Sequence, residues 1–426
     1  MNNSISFSRK ENDEREFAID VVRKLREAGY QALWAGGCVR DLLLGRVPTD
    51  YDVATSARPA EVQELFGRNR TLPVGVAFGV VIVRGKRRQG EIEVASFRTD
   101  ASYSDGRRPD SIQFSTPEED AQRRDFTING MFYDPIDEKV IDFVGGQEDL
   151  KRKVIRAIGV PDQRIAEDKL RMLRAVRFAA RFGFEFDEAT RASVARHAAD
   201  VVVVSGERIQ MEMRSTLLTR QPGWAIATWR ELGLLQFILP ELGDLTLADG
   251  AGACRLVDEI PDSNWITRLA ALVWSAIKDG HAGQDCAALV SSIKQRLKLS
   301  NADATALSFA VSQQEFLDRA NDVPWSMLQP LLVSPHVTAA LDLLRARCKL
   351  TPSGAPLTWL EERLRQPPEI LNPPAWLEGA DLIALGLRPS PQFRILLENA
   401  RRMQLDGELE TKEAALEWAR LQSEVK

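Results

Sequence analysis

Two acidic residues, Asp50 and Asp52, lie two positions apart in the segment DYDVAT (50–55), whose composition predicts a strand. Side chains two apart on a strand project from the same face, so these carboxylates are expected to point together. Adjacent carboxylates repel each other and raise one pKa unless a cation lies between them. Such oxygen ligands suit Mg²⁺, which proteins hold with one or two carboxylates plus substrate phosphates. The pair therefore predicts a magnesium-dependent site for chemistry on phosphates.

A third acid on the next predicted hairpin would complete a two-metal site, which stabilises the attacking and leaving oxygens in phosphoryl transfer. Glu93 in EIEVASFR (91–98) is the candidate, and Glu91 on the same face is the alternative. Before the acids, Gly36 and Gly37 allow backbone to approach a triphosphate, and the start of the short VRD helix supplies amide donors. Each feature alone is more often a turn or a solvated edge, but their order along the chain is far more specific.

The hydrophobic pattern predicts two different architectures along the chain. Up to about residue 150, helical and alternating patterns predict a small α/β domain with a mixed sheet, including a hairpin formed by FGVVIVRG and EIEVASFR. After residue 146 the pattern predicts helices, with VVVV (201–204) as the only possible strand. The segment RQPPEILNPPAW (365–376) is the clearest predicted linker.

Composition excludes several classes of protein. A chain of 426 residues is expected to form two to four domains, and it has no apolar run long enough to span a membrane. Three scattered histidines argue against a histidine-built metal site or a Ser-His-Asp triad, and four scattered cysteines fit reduced thiols in a cytoplasm. The net charge is −5, yet residues 151–181 carry ten Lys/Arg against three acids, a local excess that suits either phosphate binding or a solvated helix face.

The segment AEDKLRMLRAVRF (166–178) predicts a helix on which Asp168 and Arg171, three positions apart, face the same way. A carboxylate accepts hydrogen bonds and a guanidinium donates them. Cytosine and adenine each present an amine donor beside a ring acceptor, which this pair matches. Guanine and uracil present the reverse order, which costs about 1–3 kcal/mol for each unmade bond. The pair suits selection of C and A without a nucleic-acid template, but the spacing by itself favours an ordinary surface ion pair.

Five segments in order resemble the class II nucleotidyltransferases, the family of bacterial tRNA CCA-adding enzymes and poly(A) polymerases. They are GGCVRDLLLG…DYD, IEVASFR, EEDAQRRDFTINGMFYDP, AEDKLRMLRAVRFAARFGF and VSGERIQMEM, which together cover roughly residues 17–240. The resemblance implies an α+β protein, with a nucleotidyltransferase (polymerase-beta-like) mixed-sheet head followed by all-α neck, body and tail. The expected regions are a catalytic head (1–146), a nucleotide-selecting and RNA-binding neck (147–240), a body (241–370) and a tRNA-binding tail (371–426).

The resemblance also implies roles for particular residues. Asp50, Asp52 and Glu93 would bind Mg²⁺ and catalyse transfer from ATP and CTP to a tRNA 3′ end. Arg124 and Asp125 would hold the sugar and phosphates of the nucleotide. The full set of expected nucleotide-binding residues is Gly36, Gly37, Arg40, Arg124, Asp125, Asn129, Asp168, Arg171, Arg174 and Arg177.

A polar segment, RTDASYSDGRRPDSIQF (98–114), is expected to be a mobile loop, and the resemblance implies that it helps the site change from CTP to ATP. Many bacterial relatives carry a metal-binding His-Asp hydrolase module, but the matching segment LAALVWSAIKDG (269–280) has no His-Asp pair, so no phosphohydrolase activity is expected. Three functions remain open: CCA addition or addition of the terminal A alone, poly(A) synthesis, and non-catalytic RNA binding.

Overall fold

The computed structural model describes residues 9–75, 79–86, 89–100, 112–242, 247–261, 264–278, 285–351 and 355–424. Residue contacts divide the chain into two units, Met1–Gly243 and Asp244–Lys426. The finer division into head, neck, body and tail stays a prediction.

The first unit contains a seven-stranded mixed sheet, which confirms the predicted head architecture. Its strands, in the spatial order β3-β4-β5-β2-β1-β8-β9, are β1 (Ala32–Ala35), β2 (Asp52–Thr55), β3 (Thr71–Gly75), β4 (Val80–Arg84), β5 (Glu91–Ser96), β8 (Phe132–Asp134) and β9 (Lys139–Ile141). β2 and β5 run parallel, and the other neighbours are antiparallel. The predicted β4–β5 hairpin is present. A separate antiparallel pair is formed by β6 (Arg98–Asp100) and β7 (Ile112–Phe114).

Helices pack on this sheet through apolar residues at helical spacing. The helices on the sheet are α1 (Arg9–Glu27), α2 (Gly37–Leu43), α3 (Pro59–Phe66) and α4 (Pro117–Gln122). The next helix, α5 (Gly146–Arg152), packs on the 3₁₀ helix Thr127–Asn129. Phe17, Val21, Val22 and Leu25 of α1 are all buried, as their spacing predicts, and so is Trp34 of β1. Residues close to β1 and β2 are therefore held by a rigid core, which matters because the acidic residues lie at the ends of these strands.

The rest of the first unit is mostly helical: α6 (Pro161–Glu167), α7 (Arg171–Phe182), α8 (Glu188–Arg196), α9 (Gly206–Leu217), α10 (Pro222–Glu231) and α11 (Leu235–Ile238). Two predictions for this region are wrong. Short strands β10 (Val154–Ile155) and β11 (Glu185–Phe186) form a parallel pair, and residues 201–203 of VVVV lie in a 3₁₀ helix, Ala198–Val203. Valine favours strands only where its side chain packs, whereas Val202 and Val203 are 63% and 67% exposed.

The described part of the second unit is helical. Its helices are α12 (Leu247–Asp258), α13 (Trp265–Lys278), α14 (Cys286–Leu297), α15 (Asn301–Ser312), α16 (Gln314–Asp318), α17 (Trp325–Leu332), α18 (Val337–Leu350), α19 (Ala355–Leu364), α20 (Pro368–Leu371), α21 (Gly379–Ala384), α22 (Pro391–Leu405) and α23 (Lys412–Glu424). The predicted linker at 365–376 is not an open connection. It contains α20, and the amide of Gln329 donates to Leu371 O and Asn372 Oδ1 at 3.0 and 2.9 Å.

Among the described residues, no single helix is long and apolar enough to cross a membrane. The pair α17 and α18 passes the test of length and composition only when combined, and it is bent by 105°.

Candidate active site

Asp50 and Asp52 both line a cavity in the first unit, but they do not share one strand as predicted. β2 begins at Asp52, and Asp50 lies in the loop before it. Asp52 pairs with Ala35, the last residue of β1, so that Asp50 would fall opposite Gly37, which already begins α2. Because β1 has ended at this point, the strand predicted from DYDVAT is two residues too long at its start.

Glu93 lies beside Asp52 in the sheet. The two residues are register partners in the parallel pair β2–β5, and side chains of such partners project from the same face. Glu91, two residues earlier on β5, instead forms an ion pair with Arg84 (Oε1–Nε 3.0 Å). Glu93 is therefore better placed than Glu91 to act with the aspartates, although it does not line the cavity.

The carboxylates of Asp50, Asp52 and Glu93 lie close enough for their negative charges to repel one another. Burial, followed by the charges of Glu93 and Asp50, raises the pKa of Asp52 to about 7, and Arg124 opposes this rise. Desolvation and the charge of Asp50 raise the pKa of Glu93. Carboxylates that destabilise one another in this way are stabilised by a cation between them.

Asp50 and Asp52 fit a bound Mg²⁺ by their charge and oxygen donors. Within the described ranges, no three acidic, histidine or cysteine side chains are arranged closely enough to hold a metal ion. Mg²⁺ needs only one or two protein carboxylates when water and substrate phosphate oxygens fill its other positions. These two aspartates are therefore the residues that would hold it, and the role of Glu93 as a further ligand stays a prediction.

Gly36 joins β1 to α2 in a backbone conformation that requires glycine. Its φ is +72° and its ψ −126°, and a Cβ at this position would lie 3.1 Å from Nη1 of Arg124. A Cβ on Gly37 would meet Nη2 of Arg40 at 3.6 Å, an ordinary contact. Gly36 thus both makes the turn and leaves room for Arg124 beside the backbone.

The cavity has a volume of about 510 Å³ and carries an excess of positive charge. It is lined by eight arginines and five aspartates: Arg40, Arg98, Arg123, Arg124, Arg171, Arg174, Arg177, Arg181, Asp41, Asp50, Asp52, Asp125 and Asp168. Every predicted site residue except Glu93 lines this cavity. Its size suits a small-molecule ligand, and the three surplus arginines suit a polyanion such as a nucleoside triphosphate.

Arg40 begins a chain of hydrogen bonds across the cavity wall. It is 4% exposed, and its Nη1 donates to Asn129 Oδ1 at 2.6 Å, while its Nε donates to Asp41 Oδ1 at 2.9 Å. Asn129 Nδ2 donates to Asp125 Oδ1 (3.1 Å), and Arg174 Nε donates to Asp125 Oδ2 (2.8 Å). Arg40 and Asn129 therefore hold Asp125, and their predicted contact with the nucleotide stays a prediction.

Asp125 is ionised by its surroundings. Burial alone would raise its pKa, but the charge of Arg174 and the hydrogen bonds from Asn129 and Arg174 lower the pKa to about 2. Glu212 of α9 extends the network, with Oε2 accepting from Arg177 Nε at 2.6 Å and Oε1 lying 3.7 Å from Arg174 Nη1. Arg174 and Arg177 are thus held in place before any phosphate binds.

Asp120, which the motif reading did not single out, positions two arginines of the RRD segment. It is 1% exposed; Oδ1 accepts from Arg123 (2.9 and 2.7 Å) and Oδ2 from Arg124 (3.1 and 2.8 Å). Burial would raise the pKa of Asp120, yet these two guanidinium groups lower it. Arg123 and Arg124 follow Asp120 of α4 by three and four residues, and this spacing is the signal in the sequence for these ion pairs.

Asp168 and Arg171 line the same cavity, but the prediction that they share a helix is wrong. Asp168 follows the last residue of α6 in an extended conformation (φ −147°, ψ 105°), and α7 begins at Arg171. Asp168 Oδ1 accepts from the backbone N–H of Leu170 at 3.1 Å, an interaction that favours a turn over a continuous helix. Asp168 and Arg171 form their hydrogen bonds with other residues and not with each other.

Arg171 is anchored by its own neighbours. Its Nη1 donates to Arg164 O (2.8 Å) and Glu167 Oε2 (2.5 Å), and its Nη2 donates to Arg123 O (3.2 Å). A guanidinium has five N–H donors, so Nε–H and one Nη2–H have no partner in the described part of the chain. Asp168 is held by Arg208 of α9, a residue that sequence reasoning missed although it lies within the quoted segment VSGERIQMEM.

The expected mobile loop at 98–114 has a defined base. Residues 98–100 and 112–114 form the strands β6 and β7, so the loop prediction is wrong for them. Its central part, 101–111, lies outside the described residues.

Comparison with known proteins agrees with this fold. The model of the poly A polymerase head domain matches residues 32–156, and the model described as the probable RNA and SrmB-binding site of polymerase A matches residues 183–245. The chain is 32% identical to the CCA-adding enzyme of Lactobacillus delbrueckii subsp. bulgaricus over 400 residues, which cover 94% of this chain and 96% of that enzyme.

Other similar proteins are matched over part of their length or by structure. The CCA-adding enzyme of Geobacillus kaustophilus is 40% identical over 243 residues, 56% of this chain and 58% of that enzyme. Among solved structures, the CCA-adding enzyme of Bacillus stearothermophilus in complex with CTP superimposes with a TM-score of 0.78 at 27% identity, covering 98% of this chain and 99% of that one. This chain and that enzyme therefore share the same fold, in which a mixed-sheet head is followed by a helical region. The chain belongs to the class II tRNA nucleotidyltransferase and poly(A) polymerase family, which confirms the predicted resemblance.

Proposed function

We propose that this protein is a tRNA nucleotidyltransferase that adds CCA, or its terminal A, to tRNA 3′ ends from CTP and ATP and releases pyrophosphate. One observation carries the proposal: a single cavity is lined by Asp50 and Asp52, by Asp168 and Arg171, and by a surplus of arginines. These three groups match the three parts of a nucleoside triphosphate. The acids can bind a metal at the reacting phosphate, the arginines can bind the other phosphates, and the donor–acceptor pair can bind the base.

Base selection follows from the hydrogen-bonding capacity that remains at the two residues. An ionised carboxylate has about four acceptor sites. Asp168 uses two on Oδ1 and one on Oδ2, so that one site on Oδ2 can accept an N–H of the cytosine or adenine amine. The remaining N–H groups of Arg171 can donate to the adjacent ring nitrogen. Uracil and guanine present a carbonyl to Asp168 and an N–H to Arg171, which leaves both pairs unmade.

The remaining residues of the cavity act on the phosphate groups in the proposed reaction. The 3′ hydroxyl oxygen of the tRNA forms a bond to the α-phosphorus, and the bond from that phosphorus to the oxygen bridging to the β-phosphate breaks. Pyrophosphate leaves with the electron pair of the broken bond, and the hydroxyl proton passes to solvent water. Arg124, Arg174 and Arg177 donate to the phosphate oxygens the N–H groups that their carboxylate partners leave free. Bound Mg²⁺ at Asp50 and Asp52 would supply Lewis-acid stabilisation of the attacking and leaving oxygens.

Two other functions remain as alternatives. A poly(A) polymerase would share these features, and the name of the matching head-domain model is consistent with it. The relatives that match the whole chain are CCA-adding enzymes, which favours tRNA as the substrate. A non-catalytic RNA-binding protein is disfavoured because an unused site would not need Asp50, Asp52, Asp168 and Arg171 around one cavity. We infer a cytoplasmic location, since the substrate tRNA is matured there.

The proposal is tested with purified protein, Mg²⁺ and three tRNA transcripts lacking CCA, CA or A, each given CTP alone, ATP alone or both. A CCA-adding enzyme completes all three transcripts, and an A-adding enzyme extends only the transcript that ends in CC. A poly(A) polymerase instead extends an unrelated RNA by many adenylates. No incorporation into any RNA would refute the proposal.

A further inference from the structure

A group of arginines packs over the rings of two phenylalanines of α7 and extends from the cavity toward the surface. The rings of Phe178 and Phe182 are stacked, with centroids 6.1 Å apart and an interplanar angle of 9°. Five guanidinium groups lie over these two rings at 4.3–5.5 Å from a centroid: Arg40, Arg46, Arg174, Arg177 and Arg181. Ring faces attract cations, so that these arginines can gather closely in spite of their repulsion.

The arginines on Phe178 are matched by carboxylates. Arg174 pairs with Asp125, and Arg177 pairs with Glu212. Their positive charge is therefore largely offset within the protein. They hold the cavity in shape and add little net charge beyond it.

The arginines on Phe182 toward the surface are not matched in this way. Arg181 is 40% exposed, and its nearest carboxylate oxygen, Oδ2 of Asp41, lies 3.8 Å away, while Asp41 is already bonded to the buried Arg40. Arg46 is exposed and has no ion pair among the residues that the structure describes. Arg46 and Arg181, which both lie over Phe182, therefore carry positive charge that the described carboxylates do not fully offset.

Chain connectivity places Arg46 close to the reacting position. Arg46 and Asp50 are four positions apart, so their Cα atoms are at most about 14 Å from each other in an extended chain. Arg181 lines the cavity, whereas Arg46 does not. The pair therefore extends from the nucleotide cavity to a point outside it, within one or two nucleotides of Asp50.

We propose that Arg46 and Arg181, supported by the ring of Phe182, bind backbone phosphates of the last nucleotides at the 3′ end of the RNA substrate. This inference rests on the proposed function and adds to it the site that receives the growing strand. Arginine suits phosphate because its planar fork donates two parallel hydrogen bonds. A phosphate bound at Arg46 lies outside the cavity that holds the incoming nucleotide, so it belongs to the RNA.

The test compares Arg46→Ala, Arg181→Ala and the double variant with the parent protein and with Arg23→Ala. Arg23 is an exposed arginine of α1 that pairs with Asp20 and serves as a matched loss of one surface charge. A tRNA transcript lacking CCA is bound in equilibrium at several NaCl concentrations without nucleotide. In parallel, the KM values for that tRNA and for CTP are measured, as is the melting temperature of each variant.

We expect each single variant to weaken tRNA binding by roughly tenfold and to flatten the slope of log K against log[NaCl] by about one unit. The double variant should flatten it by about two units. The KM for tRNA should rise in the same order, and for Arg46→Ala, whose residue lies outside the cavity lining, the KM for CTP should stay within about twofold of the parent. Arg23→Ala should match the parent.

Two results would overturn this inference. Unchanged tRNA affinity and salt slope in the double variant would show that these arginines bind no RNA phosphate. A raised KM for CTP with an unchanged KM for tRNA would assign them to the triphosphate instead. Either result leaves the proposed function intact if the parent extends tRNA, whereas a parent protein that neither binds nor extends tRNA refutes the proposed function itself.

Discussion

Arg208 holds Asp168 through two parallel hydrogen bonds, from Nη1 to Oδ1 at 3.1 Å and from Nη2 to Oδ2 at 2.7 Å. The two residues are forty positions apart, and Arg208 lies in the first turns of α9 while Asp168 lies between α6 and α7. Such a bidentate pair fixes the orientation of a carboxylate. In the proposed enzyme it holds Asp168 so that the free acceptor site on Oδ2 can read an amine.

Arg208→Met retains much of the side-chain volume but removes the charge and both donors. We expect kcat/KM for CTP and ATP to fall roughly 10- to 100-fold, because Asp168 without the two hydrogen bonds from Arg208 is less well oriented toward the base. Arg208→Lys keeps the positive charge without the bidentate geometry, so its kcat/KM should lie between the values for the parent and for Arg208→Met. Steady-state kinetics with each nucleotide provide the measurement. An unchanged preference for CTP and ATP over UTP and GTP in the Met variant would remove Arg208 from base selection.

Asp125 gives a stability prediction that depends on pH. Its folded pKa of about 2 is below the usual value near 3.9, so its ionised form stabilises the folded protein. This stabilisation is fully present above about pH 4 and is lost as the pH falls through about 2. Asp125→Asn should therefore lower the free energy of unfolding by about 2 kcal/mol at pH 7, and the difference should shrink below pH 4. Urea unfolding at several pH values measures this, and a difference independent of pH would contradict it.

Gly36 and Gly37 form a matched pair for testing backbone strain. Gly36→Ala would place a side chain at φ +72° and against Arg124, so the free energy of unfolding should fall by about 1–3 kcal/mol. Gly37→Ala falls at the start of α2 with ordinary contacts and should be neutral or slightly stabilising. Equal effects from the two substitutions, measured by urea unfolding, would show that the turn at Gly36 tolerates other residues.

Asp52 predicts how Mg²⁺ and pH act together. Because the folded pKa of Asp52 is raised to about 7, its ionisation destabilises the metal-free protein, and this cost develops as the pH rises from about 4 to 7. Mg²⁺ should therefore raise the melting temperature more at pH 8 than at pH 5.5, where Asp52 is protonated. Asp52→Asn removes the titrating group and should lose most of this difference. A parent protein that responds equally to Mg²⁺ at both pH values would argue against a cation at Asp52.

Motifs in the sequence were enough to predict the head sheet, the helical remainder and most residues around the cavity. Local pattern was less reliable where tertiary pairing decides the structure. β2 starts at Asp52 because β1 has ended, and the apolar segment VVVV is not a strand because Val202 and Val203 are exposed and do not pack. Asp168 and Arg171 were assigned to one helix by spacing, whereas the N–H of Leu170 and the side chain of Arg208 hold Asp168 in a turn. Partners such as Arg208 and Glu212 are distant along the chain, so no local spacing reveals them.

Base selection by Asp168 is the central claim, and a four-nucleotide competition tests it most directly. Parent and Asp168→Ala proteins are given tRNA lacking CCA with CTP, ATP, UTP and GTP together, and the added nucleotides are read by sequencing the products. The account predicts that the variant still extends tRNA but loses roughly 5- to 150-fold of the preference for C and A, because the amine has lost its acceptor. A variant that is slower but just as selective would contradict it, since Asp168 would then position the nucleotide without reading its base.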